Sequence, residues 1–196
     1  MPDLTDIQTA KTALRTAALA LRDALPAAER QAAAAAIATR GFPVETTPGT
    51  IVSGFMPMKT EINPLPLLRK LADAGTQLAL PAIAGRGKPL IMRAWKFGDP
   101  FKAGQWGIRE PTADALEVAP DILIVPLACF DRAGHRIGYG AGYYDMTINA
   151  LRAKKKAIAI GIAFAAQEIP KVPATERDAR LDLVLTEREV IDFRGA

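Results

Sequence analysis

The chain has 196 residues, 49% of them hydrophobic and 23% charged, a composition typical of one globular domain with a substantial core. Its formal net charge of +4 is mild, which argues against a protein built for nucleic acid and suits a polyanionic small substrate at least as well. The single cysteine, Cys129, excludes an internal disulfide, and the single histidine, His135, argues against a Ser-His-Asp triad or a multi-histidine metal site.

The composition also predicts the cellular location and the binding partners of the protein. The chain has neither an apolar signal core at its N-terminus nor an apolar run of membrane-spanning length, so we expect a cytoplasmic protein without membrane contact. Lys154, Lys155 and Lys156 form the densest basic run, which is more typical of a solvated helix end than of a nucleic-acid contact. We expect small-molecule partners, no nucleic acid, a single domain over residues 1–196, and a monomer or weak dimer.

Helical and strand-like segments alternate along the chain. Two helices are predicted first, over residues 4–25 and 27–40, with Pro26 at their junction and Gly41 after the second. Short apolar runs then predict strands at residues 50–55, 77–81, 90–95, 122–126, 157–162 and 183–186. Further helices are predicted at residues 64–74 and 142–153. This alternation predicts an α/β fold of three layers, in which a mostly parallel, Rossmann-like sheet carries helices on both faces and an N-terminal helical hairpin packs on it.

The first predicted helix carries cations where an amphipathic helix normally places apolar side chains. Lys11, Arg15 and Arg22 fall within or beside the apolar stripe of this helix. An inward-facing cation costs stability unless an anion receives it. Two interpretations stay open: the long side chains snorkel to water from the edge of the stripe, or Lys11 and Arg15 gain a partner only when the phosphates of a ligand bind.

Residues 136–145 read R-I-G-Y-G-A-G-Y-Y-D and lead into a predicted helix. The alternating Gly138, Gly140 and Gly142 let several backbone N–H groups approach an anion at a helix N-terminus, so this glycine loop predicts a phosphate site. Turn-forming glycines are the alternative, because the loop matches neither a Walker A motif nor the dinucleotide fingerprint. Asp145 is either a dipole partner in the first helical turn or a ligand for the magnesium that accompanies a nucleotide.

Several segments together resemble one known family. They are K-x-x-L-R at residues 11–15, residues 56–61, W-G-I-x-E-P at residues 106–111, the glycine loop, and L-D-L-V-L-T-E at residues 181–187. Most of them follow predicted strands, where ligands of parallel α/β sheets gather. In this order, over nearly the whole chain, they are similar to the 5-formyltetrahydrofolate cyclo-ligases, also called methenyltetrahydrofolate synthetases. The tyrosine-bearing glycine loop is the most specific of these segments.

The resemblance implies cyclisation of 5-formyltetrahydrofolate to 5,10-methenyltetrahydrofolate with ATP and Mg²⁺, through a phosphorylated formyl oxygen and with release of ADP and phosphate. It implies that the catalytic residues are Lys11, Arg15, Tyr143 and Asp145. It implies that ATP is bound by Lys11, Arg15, Arg136, Ile137, Gly138, Tyr139, Gly140, Ala141, Gly142, Tyr143 and Tyr144. The residues implied for the folate are Met56, Glu61, Trp106, Tyr139, Gly140, Gly142 and Tyr143. Those implied for Mg²⁺ are Asp145 and Asp182.

Three positions depart from the family pattern. Ala141 occupies a loop position that is often Gly or Lys in relatives. Tyr139 occupies a loop position that is often Tyr or Arg in relatives, and Arg177 occupies a position that is often His. These differences leave the expected fold and reaction unchanged, and they leave the roles of the three residues open.

Other interpretations of the same residues also stay open. Without the resemblance, Trp106 and Tyr143 are core or rim aromatics, and Glu61 and Asp182 are surface carboxylates. The competing function classes are a nucleotide- or RNA-binding module without turnover, and an ATP-dependent kinase that acts on another small substrate.

Overall fold

The computed structural model of the protein describes residues 4–104 and 107–195. Its α-helices are α1 (Leu4–Asp23), α2 (Ala27–Arg40), α3 (Leu65–Asp73) and α4 (Tyr143–Arg152). Its strands are β1 (Ile51–Ser53), β2 (Gln77–Ala82), β3 (Ile91–Ala94), β4 (Phe101–Ala103), β5 (Arg109–Pro111), β6 (Ile122–Val125), β7 (Cys129–Phe130), β8 (Arg136–Ile137), β9 (Ile158–Ile162), β10 (Leu183–Leu185) and β11 (Val190–Asp192). A 3₁₀ turn covers Ala165–Gln167.

Seven strands form the central sheet in the order β11-β10-β9-β6-β1-β2-β3. The five strands from β10 to β2 run parallel, and each edge strand runs antiparallel to its neighbour. The six strands predicted from apolar runs are all present, which confirms the mostly parallel α/β sheet. The prediction missed β4, β5, β7, β8 and β11: four of these short strands contain charged residues, and β7 lies in the apolar run that continues from β6.

The central strands are buried on both faces, as their continuous apolar runs predict. In β6, Ile122 and Ile124 belong to a core shared with α2 and α3, whereas Leu123 and Val125 belong to a second core that includes Ile148 of α4. Burying one such aliphatic side chain stabilises the fold by about 1.5–3 kcal/mol. The two cores on opposite faces of the sheet confirm the three predicted layers.

The order of the strands creates a switch point between β1 and β6. From β1 the chain runs through α3 to β2, and from β6 it runs through α4 to β9 on the other side of the sheet. The helices therefore cover opposite faces. A crevice consequently opens at the carboxyl ends of β1 and β6, where open α/β sheets bind their ligands. The short β7–β8 hairpin follows β6 and leads directly into the glycine loop.

α1 lies against the β7–β8 hairpin, apart from the two main cores. Leu14 and Ala18 pack with Cys129, Ile137 and Val172 in a small third core. Cys129 is fully buried, and burial raises the pKa of its thiol to about 11, so its role here is in packing. This packing holds α1 alongside the glycine loop, which begins directly after Ile137. Among the described helices, none is long and apolar enough to cross a membrane.

Candidate active site

The crevice at the switch point is a cavity of about 540 Å³, a volume typical of a ligand pocket. It is lined mainly by α1, the chain after β1, the end of β2, the β4–β5 hairpin, and the glycine loop with the start of α4. The predicted site residues that line it are Lys11, Arg15, Met56, Glu61, Arg136, Ile137, Gly138, Tyr139, Gly140, Ala141, Gly142, Tyr143, Tyr144 and Asp145. The fold therefore brings nearly all of the predicted set to one place.

The glycine loop has the backbone geometry of an anion site. Gly140 and Gly142 have φ angles of +98° and +68°, a conformation that favours glycine because a Cβ atom is strained there. Gly142 is the residue that caps the N-terminus of α4. The first amides of α4 have no partner within the helix, and the helix dipole adds partial positive charge at this end. This geometry supports the phosphate-site interpretation of the loop.

Lys11 and Arg15 lie one helical turn apart on α1 and both line the cavity, but each already has a protein partner. Lys11 Nζ lies 2.6 Å from both carboxylate oxygens of Asp178. Arg15 Nε donates to the Gly138 carbonyl oxygen at 2.7 Å. The expectation that these cations lack partners until phosphate binds is therefore wrong. Snorkelling is also wrong for Lys11, because only 12% of its side chain is exposed.

Asp178 is a cavity residue that the sequence analysis missed. Besides Lys11, its carboxylate accepts hydrogen bonds from the amide and the hydroxyl of Thr175, at 2.6 and 2.8 Å. Burial acts to raise the pKa of Asp178, but the hydrogen bonds from Lys11 and Thr175 outweigh it and lower that pKa. Asp178 lies in the long loop before β10, where no apolar period marks individual positions. The sequence feature that could have pointed to Asp178 is its neighbour Arg177, which departs from the family pattern.

Asp145 lies in the first turn of α4 and is fixed by two contacts. Its Oδ1 lies 3.0 Å from Arg136 Nη2 and accepts the backbone amide of Ala179, also at 3.0 Å. Arg136 is 5% exposed and donates to the Ala179 carbonyl oxygen at 2.7 Å. Arg136 and Asp145 therefore join the start of α4 to the loop that carries Asp178. Both carboxylates line the cavity on this wall.

The structure separates Asp182 from the predicted magnesium site. Asp182 Oδ2 accepts hydrogen bonds from Arg152 Nη2 and from the backbone amide of Ala159, both at 2.7 Å. Arg152 is the last residue of α4, whereas Asp145 lies in its first turn, and Asp182 does not line the cavity. The prediction that Asp145 and Asp182 share one ion is therefore corrected: the cavity is lined by Asp145 together with Asp178.

Two carboxylates at the wall are compatible with a magnesium ion that enters with a nucleotide. Within residues 4–104 and 107–195, no group of three or more His, Cys, Asp or Glu side chains could hold a metal ion. Mg²⁺ is usually bound by one or two protein carboxylates together with water and substrate phosphates. Asp145 and Asp178 are the residues that fit this requirement.

Another part of the cavity wall contains Glu61, which is therefore not a surface carboxylate. Its Oε2 accepts the backbone amide of Met58 at 2.7 Å, and Met56 lines the cavity beside it. Burial raises the pKa of Glu61, and a hydrogen bond from Tyr139, the Met58 amide and the charge of Arg22 oppose that rise. The result is a partly buried carboxylate that lines a cavity of ligand size.

The tyrosines of the glycine loop differ in what their hydroxyls contact. The Tyr139 hydroxyl accepts a hydrogen bond from Arg22 Nη1 at 2.6 Å. The Tyr144 hydroxyl is buried and has no hydrogen-bond partner among the described residues. Burial, together with the charge of Glu61, raises the pKa of Tyr144. A buried hydroxyl without a partner costs stability, and at a cavity wall it is available to a ligand. Tyr143 also lines the cavity.

The β4–β5 hairpin forms a further part of the wall. Trp106 lies outside the described residues, so its predicted folate contact stays a prediction. Ile108, Arg109 and Glu110 line the cavity and were not predicted as site residues, although the W-G-I-x-E-P motif contains them. Glu110 is 3% exposed and accepts the backbone amide of Ile83 at 3.1 Å, which fixes the hairpin to the end of β2.

Comparisons with known proteins agree with this geometry. Residues 7–187 match the model of the 5-formyltetrahydrofolate cyclo-ligase family. The 5-formyltetrahydrofolate cyclo-ligase of Mycolicibacterium smegmatis is 30% identical over 191 residues, covering 92% of this chain and 95% of that protein. The Escherichia coli 5-formyltetrahydrofolate cyclo-ligase is 31% identical over 150 residues, which cover 72% of this chain and 80% of that protein.

Two solved structures have the same architecture. The NMR structure of 5,10-methenyltetrahydrofolate synthetase from Aquifex aeolicus superposes with a TM-score of 0.77 at 26% identity, covering 94% of this chain and 93% of that one. The structure of a 5,10-methenyltetrahydrofolate synthetase from Mycoplasma pneumoniae superposes with a TM-score of 0.71 at 22% identity. The match covers 90% of this chain and 98% of that one, and it supports the fold.

Proposed function

The chain belongs to the 5-formyltetrahydrofolate cyclo-ligase family and is an enzyme, and from this premise we propose that it uses ATP and Mg²⁺ to convert 5-formyltetrahydrofolate to 5,10-methenyltetrahydrofolate, releasing ADP and phosphate. The observation that carries the proposal for this chain is the composition of one cavity. It combines a glycine loop at a helix N-terminus, the two cations Lys11 and Arg15, the two carboxylates Asp145 and Asp178, and the partly buried carboxylate of Glu61. These groups match the needs of a nucleotide, its metal and a reduced folate.

Ring closure needs ATP because the oxygen of a formamide is a poor leaving group. The formyl oxygen attacks the γ-phosphorus of ATP, the bond from that phosphorus to the bridging oxygen breaks, and ADP leaves. Nitrogen 10 of the folate then attacks the formyl carbon. The carbon–oxygen bond breaks, phosphate leaves with the formyl oxygen, and the proton of nitrogen 10 passes to solvent, which yields the methenyl bridge. Phosphoryl transfer of this kind depends on positioning and positive charge more than on a strong base.

The nucleotide side supplies that positive charge. Lys11, Arg15 and the first amides of α4 surround the glycine loop, where the β- and γ-phosphates of ATP would lie. Lys11 is bound to Asp178 in the free protein, so phosphate binding requires an exchange in which Lys11 turns from the carboxylate to the phosphate. Asp178 then becomes free to bind the metal together with Asp145. When bound, Mg²⁺ would neutralise charge on the transferring phosphoryl group.

The folate side supplies orientation. Glu61 presents a partly buried carboxylate to the cavity, and a carboxylate there would accept hydrogen bonds from the N–H groups of a pterin ring. Met56 and Tyr143 add apolar surface against which a flat ring would pack. In this proposal, the formyl group of the substrate would face the glycine loop.

The experiment mixes the enzyme with ATP, Mg²⁺ and 5-formyltetrahydrofolate, and records methenyl absorbance together with released ADP and phosphate. We expect one ADP and one phosphate per methenyl product, and neither product when the folate is omitted. Cyclisation at an unchanged rate without nucleotide would contradict the proposal. Nucleotide binding without turnover would favour the non-catalytic module, and a stable phosphorylated product from another substrate would favour the kinase.

A further inference from the structure

We infer that Arg22 is a positioning residue for the nucleotide: through the hydroxyl of Tyr139 it holds the glycine loop in the conformation that receives phosphate. The inference rests on the proposed function, because it takes the glycine loop as the place where ATP binds. It assigns a role to the third inward-facing cation of α1. Arg22 does not line the cavity, so it acts on a ligand there only through another residue.

The glycine loop needs contacts from outside to keep one shape. Gly138, Gly140 and Gly142 occupy every second position, and a segment this rich in glycine has many backbone conformations open to it. A phosphate site needs one of these conformations, with several N–H groups turned toward the anion. Contacts that fix the loop before the ligand arrives lower the entropy cost of binding, so they raise affinity without touching the ligand.

α1 supplies such contacts from two arginines that lie about two helical turns apart on one face of the helix. Arg15 Nε donates to the carbonyl oxygen of Gly138 at 2.7 Å, and its Cζ lies 3.6 Å from the place that a Cβ atom of Gly140 would occupy. Arg22 Nη1 donates to the hydroxyl of Tyr139 at 2.6 Å. Three consecutive residues of the loop are therefore held from one helix.

Arg22 is itself held by a second hydroxyl. The residue is buried, with 3% of its surface exposed. Its Nε donates to the hydroxyl of Thr60 at 3.1 Å, and that hydroxyl in turn donates to the carboxylate of Asp23, the last residue of α1. Burial and this second contact fix the guanidinium where it meets Tyr139, as a positioning role requires.

The segment after β1 keeps support of its own when Arg22 is removed. The Glu61 amide donates to the Met58 carbonyl oxygen at 2.9 Å, and the Met58 amide donates in return to Glu61 Oε2 at 2.7 Å. Loss of the Thr60 contact leaves this turn closed, whereas loss of the Tyr139 contact releases part of the glycine loop. Removal of Arg22 should therefore weaken the binding of ATP more than the binding of the folate.

The test measures the affinity for ATP with Mg²⁺ by calorimetry, without folate, in Arg22→Met, Tyr139→Phe and the double variant. Each single change removes the same charge-assisted hydrogen bond, so each should weaken ATP binding about tenfold. The double variant should bind ATP no more weakly than Arg22→Met, because two changes that remove one interaction are not additive. In turnover, the KM for ATP should rise while kcat and the KM for folate change much less.

Arg40→Met is the matched control. Arg40 also joins distant segments, by donating to the carbonyl oxygens of Thr186 and Glu187, and it does not line the cavity. This variant should keep the wild-type affinity for ATP. An equal loss of affinity in Arg40→Met would overturn the inference.

Two other accounts of the same contacts predict different results. If the Tyr139 hydroxyl contacts ATP directly, Tyr139→Phe weakens ATP binding and Arg22→Met does not. If Arg22 has only a structural role, Arg22→Met melts at a lower temperature and binds ATP with unchanged affinity. Either result overturns the inference, as do additive losses in the double variant.

Arg22→Gln takes the place of Arg22→Met if the latter does not fold, since it keeps a polar side chain at the buried position. It should weaken ATP binding in the wild-type background but not in Tyr139→Phe, and any other pattern overturns the inference. Failure of the proposed function is a separate result: a protein that binds ATP but forms no methenyl product lacks that function, and the affinities still test Arg22. A wild-type protein that binds no ATP overturns both.

Discussion

The nucleotide side and the folate side of the proposed site differ in how their polar groups are satisfied in the free protein. On the nucleotide side, Lys11 is paired with Asp178, and Arg136 is paired with Asp145. In the proposed function, ATP and Mg²⁺ would therefore replace these protein partners. Each charge would stay paired during this exchange, and binding of phosphate at Lys11 would release the carboxylate of Asp178 for the metal.

On the folate side, the carboxylate of Glu61 is only partly stabilised by the protein, so a ligand can supply further hydrogen bonds to it. Burial raises the pKa of Glu61, because the protein stabilises its ionised carboxylate less well than water does. This carboxylate therefore costs stability, which is common at binding sites. The comparison teaches that changes on the nucleotide side should lower both turnover and stability, whereas changes on the folate side should weaken binding while stability is kept or raised.

Asp145→Asn should have the largest effect. The amide keeps the size of the side chain but removes charge from the proposed magnesium site, so kcat should fall roughly 100-fold or more. Part of the loss should return at high Mg²⁺, with little change in the KM for folate. Steady-state kinetics across a magnesium titration, together with a melting curve, measures this. The matched control is Asp182→Asn at the other end of α4, which should lower stability but keep a normal magnesium dependence.

Lys11→Met should weaken nucleotide binding by about 10- to 100-fold, because one charge-assisted hydrogen bond contributes about 1.5–3 kcal/mol. It should also lower the stability of the free protein, since Asp178 loses its cation. The pKa of Asp178 lies below its ordinary value, so its pairing stabilises the fold at neutral pH and this gain disappears as pH falls through the folded-state pKa. Denaturant unfolding at neutral and acid pH should therefore show a smaller acid-side loss in Lys11→Met. Equal losses in both proteins would contradict the pairing.

Glu61→Gln should separate binding from stability. The KM for folate should rise about tenfold, because the substrate loses a charged acceptor. The pKa of Glu61 is raised in the folded state, so its ionised form is unfavourable above that pKa, and this cost disappears as pH falls. Glu61→Gln should therefore melt at a higher temperature than wild type at neutral pH and at the same temperature in acid. A lower melting temperature at neutral pH would mean that Glu61 is mainly a structural residue.

Tyr144→Phe should have the smallest effect. The hydroxyl contacts no described partner, so its removal should leave the melting temperature unchanged or slightly higher. If the hydroxyl contacts ATP, as the family resemblance implies, loss of one neutral hydrogen bond should raise the KM for ATP about threefold to tenfold. A clear drop in melting temperature would show that the hydroxyl has a structural partner after all.

The sequence predicts the fold well, for identifiable physical reasons, whereas the nucleotide role of the glycine loop stays a prediction. Apolar runs of four or more residues mark the six main strands, and alternating glycines before a helix mark the loop of residues 138–142. The missed strands β4, β5, β8 and β11 contain charged residues, and β7 lies in the apolar run that continues from β6. Membership of the family is established, whereas the single domain, the cytoplasmic location and the monomer or weak dimer stay predictions.

The partners of the site residues could not be predicted from the sequence. Asp178 and Asp182 are both acidic residues of the loop before β10, and only the three-dimensional structure distinguishes the one at the cavity from the one at the far end of α4. The same holds for the contacts of Lys11 with Asp178 and of Arg22 with Tyr139, which join residues more than a hundred positions apart. Local propensity carries no information about such pairs.

The central claim is that the formyl oxygen of the substrate is phosphorylated and leaves with phosphate. The most direct test supplies 5-formyltetrahydrofolate labelled with ¹⁸O in the formyl group, together with ATP and Mg²⁺, and analyses the released phosphate by mass spectrometry. The account predicts one ¹⁸O atom in each phosphate formed, with one methenyl product per labelled phosphate. Unlabelled phosphate beside methenyl product would contradict it, because the oxygen would then have left without becoming bonded to phosphorus.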